Sequence, residues 1–344
     1  MRGNLYTFSF SIVLFSVVTV FFCSSVGRAY ADAASKNHVN TWNQRRFQDF
    51  YNTERDTLDM IFIGSSHSYC TFDPLLIDEL LGVNSYQMGM PSQTADGTYY
   101  TLREILNDQS PSVVVMELYW MLLDKGFDLK QAEMLFQVME NDELKAEYIA
   151  HGFPISERVK YYLPFIRFQQ DFFMYKNKEL LDYFEEEHDL VRWDERWSVP
   201  QEGVERYSDK GFMYCDYNIP LSQFGAANQF NGFDGDNWEI DRNQKRFLDK
   251  IVELCKREGI QLIFVTAPVA NVSLEIIQNY DAVHEAISNF AEGHGIPYLD
   301  FNIKVDELFT NENFRDDAHL NYSGAVIACE YFAEFMRQLN QPGT

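Results

Sequence analysis

The sequence is poor in cysteine and in basic residues, and both deficits narrow its possible functions. The five cysteines form no metal-ligand spacing and no dense disulfide framework, so we expect mostly buried free thiols; they are Cys23, Cys70, Cys215, Cys255 and Cys329. Only 28 lysines and arginines stand against 52 aspartates and glutamates, which leaves a formal net charge of -24. Such a chain repels phosphate backbones, so we expect no nucleic acid partner.

A calcium-binding loop is also missing. The Asn/Gly-rich stretch 228–237 carries Asp234 and Asp236, but it lacks the alternating acidic positions and the distal glutamate of such a loop. We therefore expect no metal and no cofactor. The chain does have 344 residues, of which 46% are hydrophobic, and this is ample for the core of one large domain or two.

A long, nearly uncharged apolar run occupies residues 5–26, near the N-terminus. It is long enough to span a bilayer, which needs about 20 apolar residues. A signal peptide also fits, because Arg2 precedes the run and Ala29-Tyr30-Ala31 offers a cleavage pattern. The length favours an uncleaved anchor over residues 1–28, with an extracytoplasmic domain at the cell membrane; secretion after cleavage is the alternative. Residues 29–57 are polar and are predicted to form a helical stalk.

From Leu58 onward, short apolar runs alternate with amphipathic segments. The predicted strands are Met60–Ile63, Asn84–Gln87, Ser112–Met116, Gln261–Thr266 and Pro297–Leu299. The predicted helices lie around Pro74–Leu81, Thr94–Leu106, Arg242–Glu258, Leu274–Glu292 and Ser323–Leu339. This alternation predicts an α/β fold with a parallel sheet. Between about residues 122 and 239 the alternation is lost, and we expect a helical cap insertion there.

Two motifs at opposite ends of this region carry the candidate chemistry. The first strand stops at Gly64, and Ser66 follows at the carboxyl edge of the sheet, where ligands bind in open α/β folds. Near the C-terminus, Asp316 precedes His319 by three residues, so both side chains can face the same way. A serine hydroxyl needs a base, and the base needs an orienting carboxylate. The pattern predicts Ser66 as nucleophile, His319 as base and Asp316 as orienter.

These motifs resemble the conserved blocks of the SGNH (GDSL-like) hydrolases and acyltransferases. That family has Gly-Asp-Ser after its first strand and Asp-x-x-His near its C-terminus. Here Ser65 replaces the aspartate of the first block, whereas the last block is complete and is followed by Leu320-Asn321 and Gly324. The resemblance implies a three-layer α/β/α SGNH-hydrolase-like domain over residues 58–344, with an acyl-enzyme mechanism.

The second and third blocks differ in how well they are kept. Residues 86–94 partly match the second block, which implies that the oxyanion is held by the backbone N–H groups of Ser66 and of either Gly89 or Ser92. At the third block the family has Gly-x-Asn-Asp, but this chain reads Glu117-Leu118-Tyr119 and offers no asparagine. The loss of one oxyanion donor costs about 3 kcal/mol of transition-state stabilisation, so we expect reduced esterase efficiency.

Three more residues are predicted to lie near the substrate. His67 adjoins the nucleophile, Tyr119 lies in the third block, and Pro268 follows the strand Gln261–Thr266 at the same edge of the sheet. Their positions are expected to place them around the bound acyl group.

The divergent blocks look more like those of membrane-anchored cell-envelope members, which help to O-acetylate polysaccharides or D-alanylate teichoic acids. The resemblance implies a serine-dependent esterase or O-acyltransferase acting on acyl esters of cell-envelope polysaccharide. For transfer, it implies a multi-pass membrane O-acyltransferase as partner. The alternative is a non-catalytic accessory protein that binds envelope polymer or scaffolds a membrane acyltransferase. The missing asparagine favours this alternative, whereas the complete Ser66, Asp316 and His319 set favours catalysis.

Overall fold

The computed structural model describes residues 9–22, 24–25, 41–162 and 205–339. Cys23, the cleavage pattern Ala29-Tyr30-Ala31 and the first part of the predicted stalk lie outside these residues. The chain divides into two compact units. One comprises Met1–Thr41 and Ala146–Arg192, and the other comprises Trp42–Lys145 and Trp193–Thr344.

The first unit contains an apolar helical segment at residues 9–22, whose large hydrophobic side chains are exposed. Within the part of the chain that the structure describes, no helix combines the length and the apolarity needed to cross a membrane. The other described elements of this unit are a π-helical turn, Tyr148–Gly152, and the helix Ile155–Tyr162.

The second unit is built on a five-stranded sheet in the order β2-β1-β3-β6-β7, in which all neighbours are parallel. A small antiparallel pair, β4 and β5, lies apart from it. The strands are β1 Met60–Ile63, β2 Ser85–Gln87, β3 Val113–Glu117, β4 Arg206–Tyr207, β5 Met213–Tyr214, β6 Gln261–Thr266 and β7 Tyr298–Asp300. The predicted parallel sheet is thereby confirmed, and its first strand has the predicted bounds.

Helices connect these strands. The α-helices are α1 Thr41–Tyr51, α2 Ser66–Thr71, α3 Pro74–Leu81, α4 Ala95–Ile105, α5 Trp120–Leu123, α6 Leu129–Phe136, α7 Asp142–Glu147, α8 Ile155–Tyr162, α9 Arg242–Glu258, α10 Asn271–Leu274, α11 Tyr280–His294, α12 Val305–Leu308 and α13 Tyr322–Leu339. Shorter 3-10 turns lie at Asp209–Gly211, Leu221–Phe224, Gly235–Asn237, Phe301–Lys304 and Asn311–Asn313.

Helices cover both faces of the sheet, so the central strands are buried on both sides. On one face, Phe62 of β1 packs edge-on against Phe332 of α13, with ring centroids 5.9 Å apart. On the other face, Phe264 of β6 stacks on Phe290 of α11 at 6.2 Å, and helices α4 and α9 meet there through Tyr100 and Phe247. The result is a three-layer α/β/α arrangement with its core on both sides of β1, β3 and β6.

Two segments differ from expectation. The predicted helix 274–292 is instead α10 and α11, because Asn279 between them takes a left-handed backbone conformation with φ 53°. The second half of the predicted stalk is α1, which is packed into the domain: Phe47 and Phe50 are each 1% exposed, and the buried Arg46 donates from Nε to the carbonyl of Gly211. The apolar residues of α1 are therefore buried in the core of the second unit.

Candidate active site

The turn after β1 places Ser66 at the carboxyl edge of the sheet. Gly64 adopts φ 135°, and a Cβ atom there would come within 2.8 Å of both Cβ and O of Glu117. Ser65 then caps α2, its Oγ accepting from the His67 N–H at 3.2 Å. Residues with small side chains are needed here because strand β3 lies directly against the turn. Ser66 is the first residue of α2, so its N–H belongs to the unpaired donors of a helix N-terminus.

A second tight turn carries the other two candidates. An antiparallel bridge between Phe314 and Leu320 closes this turn, and the Arg315 N–H donates to the carbonyl of His319. Inside it, Asp316 Oδ1 accepts from the backbone N–H groups of Ala318 and His319 at 2.8 and 2.7 Å. The aspartate thus builds the turn that brings its own carboxylate to the histidine ring.

The residues after this turn anchor it to α13. Asn321 donates from Nδ2 to the carbonyls of Tyr217 and Glu312, while its Oδ1 accepts from the Gly324 N–H. A Cβ atom on Gly324 would lie 2.3 Å from the Asn313 carbonyl oxygen. Asn321 and Gly324, which follow the Asp316 and His319 motif, therefore hold the turn in place in this fold.

The structure brings Ser66, His319 and Asp316 together. Nε2 of His319 lies 2.8 Å from Ser66 Oγ, and its Nδ1 lies 3.0 Å from each carboxylate oxygen of Asp316. Ser66 and His319 are both half-buried, so a substrate can reach them. The arrangement lets the imidazole take the serine proton while the carboxylate fixes the ring and stabilises the imidazolium.

Charge around Asp316 favours its ionised form. Burial acts to raise its pKa, but the neighbouring His319, through charge and hydrogen bonding, and the guanidinium of Arg315 outweigh burial and hold the pKa of Asp316 well below its usual range. Arg315 is itself buried, with Nε 3.6 Å from Asp316 Oδ2 and Nη1 2.8 Å from Glu205. Asp316 is therefore an anion throughout the neutral pH range.

The two other backbone donors expected at the oxyanion behave differently. The N–H of Gly89 donates to the side-chain Oε1 of Gln87 at 2.8 Å, so it is engaged in this structure, and its part in the oxyanion hole stays a prediction. The side chain of Gln87 turns back toward the loop after β2. Its Oε1 therefore accepts from the Gly89 N–H and also from the Ser68 hydroxyl. Ser92 is exposed and has φ 51°. Its part in the oxyanion hole stays a prediction.

His67 and Tyr119 form an aromatic wall beside the candidate base. The His67 ring is 2% exposed and stacks on Tyr119, with centroids 3.9 Å apart, and it lies 4.5 Å from the His319 ring. Burial, together with the charge of His319, lowers the pKa of His67 well below its usual value. His67 is therefore a neutral imidazole at neutral pH, and its buried Nε2 has no hydrogen-bond partner in the part of the chain that the structure describes.

Loops from other parts of the second unit hold the turn around His319. Asp317 accepts from the Gln229 backbone N–H at 2.6 Å and from Gln229 Nε2 at 2.7 Å, and the Tyr119 hydroxyl lies 3.3 Å from Gln229 Oε1. The loop with Pro268, which is buried, is fixed by Asn302 through the Val269 N–H and the Ala267 carbonyl. Pro268 thus borders the sheet edge, and its contact with substrate stays a prediction.

Sequence reasoning missed Glu117, which the structure places directly against the serine turn. Its Oε2 accepts from both the N–H and the Oγ–H of Ser65, at 2.9 and 2.7 Å. Burial raises the pKa of Glu117 to about 7, although the two Ser65 hydrogen bonds oppose the shift. Two separate features of the sequence were the available signal. An acid closes the apolar strand Val113–Glu117, and Ser65 stands in place of the first-block aspartate.

Comparison of the sequence with models of known protein families finds no match, and neither does comparison with curated proteins. Solved structures with similar folds include a GDSL-like lipase from Bacteroides thetaiotaomicron VPI-5482, at 10% identity and a TM-score of 0.40, covering 86% of this chain and 98% of that one. A proposed acylhydrolase from Bacteroides fragilis NCTC 9343 has 12% identity and a TM-score of 0.40, covering 85% and 93%. An acetyl xylan esterase from Butyrivibrio proteoclasticus has 8% identity and a TM-score of 0.31, covering 83% and 65%. These likenesses are distant, and the candidate chemistry rests on the geometry of the site itself.

Proposed function

We propose that this protein is a serine-dependent esterase or O-acyltransferase that acts on acyl esters of cell-envelope polysaccharide. The observation that carries the proposal is the continuous hydrogen-bonded set of Ser66, His319 and Asp316. A serine with this base and this orienter is an activated nucleophile. The choice of an envelope glycan as substrate rests on the sequence resemblance and on the apolar N-terminal segment.

The reaction proceeds in two steps. Ser66 Oγ attacks the acyl carbonyl carbon while its proton passes to His319 Nε2, and Asp316 stabilises the resulting imidazolium. The carbonyl oxygen becomes an oxyanion that accepts a hydrogen bond from the Ser66 N–H. His319 then gives its proton to the leaving glycan oxygen, and the acyl group stays on Ser66. Water or a second glycan hydroxyl attacks the acyl-enzyme in the second step, with His319 again as base, which yields hydrolysis or transfer.

Membrane attachment and a partner belong to the same proposal. The N-terminal segment of residues 1–28 anchors the chain to the cell membrane, with the chain after it on the extracytoplasmic side. For transfer, a multi-pass membrane O-acyltransferase supplies the acyl group. The support for both is the sequence pattern and its resemblance to membrane-anchored envelope members.

A non-catalytic accessory role is the second candidate, and one observation favours it. The Gly89 N–H is engaged by Gln87, and the third block offers no asparagine, so oxyanion donors are scarcer than in the family that the sequence resembles. Such a protein binds or scaffolds without forming an acyl-enzyme.

The test uses 4-nitrophenyl acetate as acyl donor and an unacetylated envelope oligosaccharide as acceptor. Mass spectrometry measures acetylated oligosaccharide, and free acetate is measured in parallel. An esterase releases acetate alone, a transferase gives acetylated oligosaccharide, and Ser66→Ala abolishes either product. If the wild-type protein gives neither product above the Ser66→Ala background, the accessory role replaces the catalytic proposal.

A further inference from the structure

The carboxyl group of Glu117 is a buried acid that the proposed mechanism does not use. The residue closes β3 and is 3% exposed. Both of its hydrogen bonds reach one oxygen, Oε2, and both come from Ser65, the residue before the candidate nucleophile. The other oxygen, Oε1, is buried and has no hydrogen-bond partner among the described residues. An unpaired buried oxygen of this kind needs a physical explanation.

A proton on Oε1 leaves that oxygen unpaired but removes the negative charge, which is the larger part of the cost of burial. As an anion, Glu117 buries a charge with one oxygen undonated, which is costly in a low-dielectric interior. As a neutral acid it carries its proton on Oε1, while Oε2 still accepts both hydrogen bonds from Ser65. The neutral form therefore keeps the contacts that hold the serine turn and removes the buried charge.

No basic group nearby offsets the buried charge. The groups around this carboxyl are Gly64 and Ser65 from the serine turn, Tyr119 from the loop after β3, and Val265, which pairs in register with Glu117 on β6. Burial raises the pKa of Tyr119, so this phenol stays neutral and supplies no charge. In the described residues, Glu117 takes part in no ion pair.

We propose that Glu117 is a positioning residue that works as a neutral carboxylic acid and whose ionisation weakens the reactivity of Ser66. This inference rests on the proposed function, because it concerns the same nucleophile. As a neutral acid, Glu117 holds Ser65 and so fixes the N-terminus of α2, including the Ser66 N–H. As an anion, Glu117 is hydrogen-bonded to Ser65, the residue before Ser66, whose N–H faces the developing oxyanion. The two negative charges then repel each other in a weakly screened site.

The consequence is an alkaline limb in the pH profile. The reaction of Ser66 slows with rising pH as Glu117 ionises. Burial sets the pKa of Glu117 at about 7, so the slowing begins in the neutral range. A serine site without such a buried acid stays at its plateau once its histidine is neutral.

The experiment measures the rate constant for labelling of the full-length protein by a fluorophosphonate probe from about pH 5 to about pH 9. For the wild type we expect a fall of roughly tenfold as the pH rises through the neutral range. Glu117→Gln, which has the same shape and no charge, is expected to keep its plateau. The matched control is Glu104→Gln, which alters a buried glutamate on α4 bonded to Tyr51 and is expected to keep the fall. Circular dichroism checks that each variant is folded.

A second variant tests the same inference from the donor side. Ser65→Ala removes the Oγ–H donor to Glu117 and leaves the Ser65 N–H in place. Because that hydrogen bond favours the ionised carboxyl, its loss raises the pKa of Glu117 and moves the alkaline limb to higher pH. This variant retains the test if Glu117→Gln does not fold.

The outcomes separate the two proposals. A wild-type rate that stays level above pH 7, a fall that persists in Glu117→Gln, or an unmoved limb in Ser65→Ala overturns the role of Glu117 and leaves the proposed function standing. Absence of labelling of the wild-type protein at every pH overturns the proposed function and this inference together.

Discussion

At the residue scale, the site combines two carboxyl groups with opposite behaviour. Asp316 is kept ionised by His319 and Arg315 despite its burial, which suits a group that must stabilise an imidazolium. Glu117 is buried against Ser65 without a cation, and its pKa is raised to about 7. Asp316 lies on the turn that carries the base, and Glu117 ends β3 against the turn that carries the nucleophile, so environment rather than residue type assigns their roles.

The raised pKa of Glu117 makes protein stability depend on pH. In the folded state Glu117 binds its proton more tightly than in the unfolded chain, so its contribution is fully present below about pH 4.5 and is lost as pH rises to about 7. We expect the free energy of unfolding to fall by about 1.4 kcal/mol per pH unit in this window, about 3 kcal/mol in total.

Urea unfolding of the wild type and of Glu117→Gln at several pH values measures this slope. Glu117→Gln is expected to flatten it, whereas Glu104→Gln, which leaves Glu117 intact, keeps it. Identical pH dependence in the wild type and in Glu117→Gln would show that Glu117 titrates equally in the folded and unfolded states.

At the element scale, the turn between β1 and α2 has no room for a side chain at its first position. Gly64 combines φ 135° with a Cβ position 2.8 Å from Glu117. Gly82, which ends α3, has a left-handed backbone with φ 68° and open space around it. The two glycines therefore separate the cost of backbone conformation from the cost of collision.

Gly64→Ala is expected to destabilise the fold by about 3 kcal/mol or more, because both costs apply and the backbone atoms of β3 cannot move away. Gly82→Ala is expected to cost only about 1 kcal/mol, since the backbone term acts alone. Thermal unfolding compares the two. Equal losses would mean that the turn can open away from Glu117.

The turn around His319 depends on a second element, the loop of residues 223–230. Asp317 accepts two hydrogen bonds from Gln229, and its own N–H donates to Gln223 Oε1 at 2.8 Å. Asparagine has only one acceptor oxygen, so in Asp317→Asn one N–H donor of Gln229 faces another donor, the amide NH₂ group, and loses its hydrogen bond. The loss of a charge-assisted hydrogen bond costs about 2 kcal/mol.

We expect faster amide hydrogen exchange over residues 223–230 in Asp317→Asn than in the wild type. Asp306→Asn provides the control, since it alters an aspartate that accepts from Asn271 elsewhere in the unit. Unchanged exchange in the loop would mean that Gln229 is held by other contacts.

Local signals in the sequence predicted much of the element structure. Helix α9 and strand β6 have the predicted bounds, because Asp241 caps the helix and Gly259 ends it with φ 71°. The pairing of Ser66 with His319, 253 residues apart, also follows from motifs that place both at one sheet edge. The contact of Glu117 with Ser65 and that of Gly89 with Gln87 could not be predicted, since they depend on how neighbouring loops pack. The interruption at Asn279 carries no proline or glycine to mark it.

At the scale of the whole molecule, an acidic chain with a net charge of -24 carries an apolar helical segment at its N-terminus. Anionic lipid repels such a chain, so attachment to a membrane depends on apolar burial. The side chains of Leu14 and Val18 in this segment are 51% and 56% exposed.

The proposed membrane anchor at residues 1–28 predicts that the full-length protein floats with neutral liposomes on a density gradient. A lysine at the centre of a membrane-spanning helix costs about 3 kcal/mol, so Leu14→Lys with Val18→Lys is expected to abolish flotation. Leu221→Lys with Phe224→Lys, which alters exposed apolar residues of the second unit, is the matched control and keeps it. Flotation of both double variants alike would contradict the anchor.

The most direct test of the central claim is fluorophosphonate labelling of the full-length protein. The geometry predicts that the wild type is labelled, that Ser66→Ala and His319→Ala are not, and that His284→Ala is labelled normally, because His284 pairs with Asp300 in a similar way but has no part in the site. Absence of wild-type labelling under conditions that label a known serine esterase, or labelling that survives in Ser66→Ala, would contradict an activated serine at position 66.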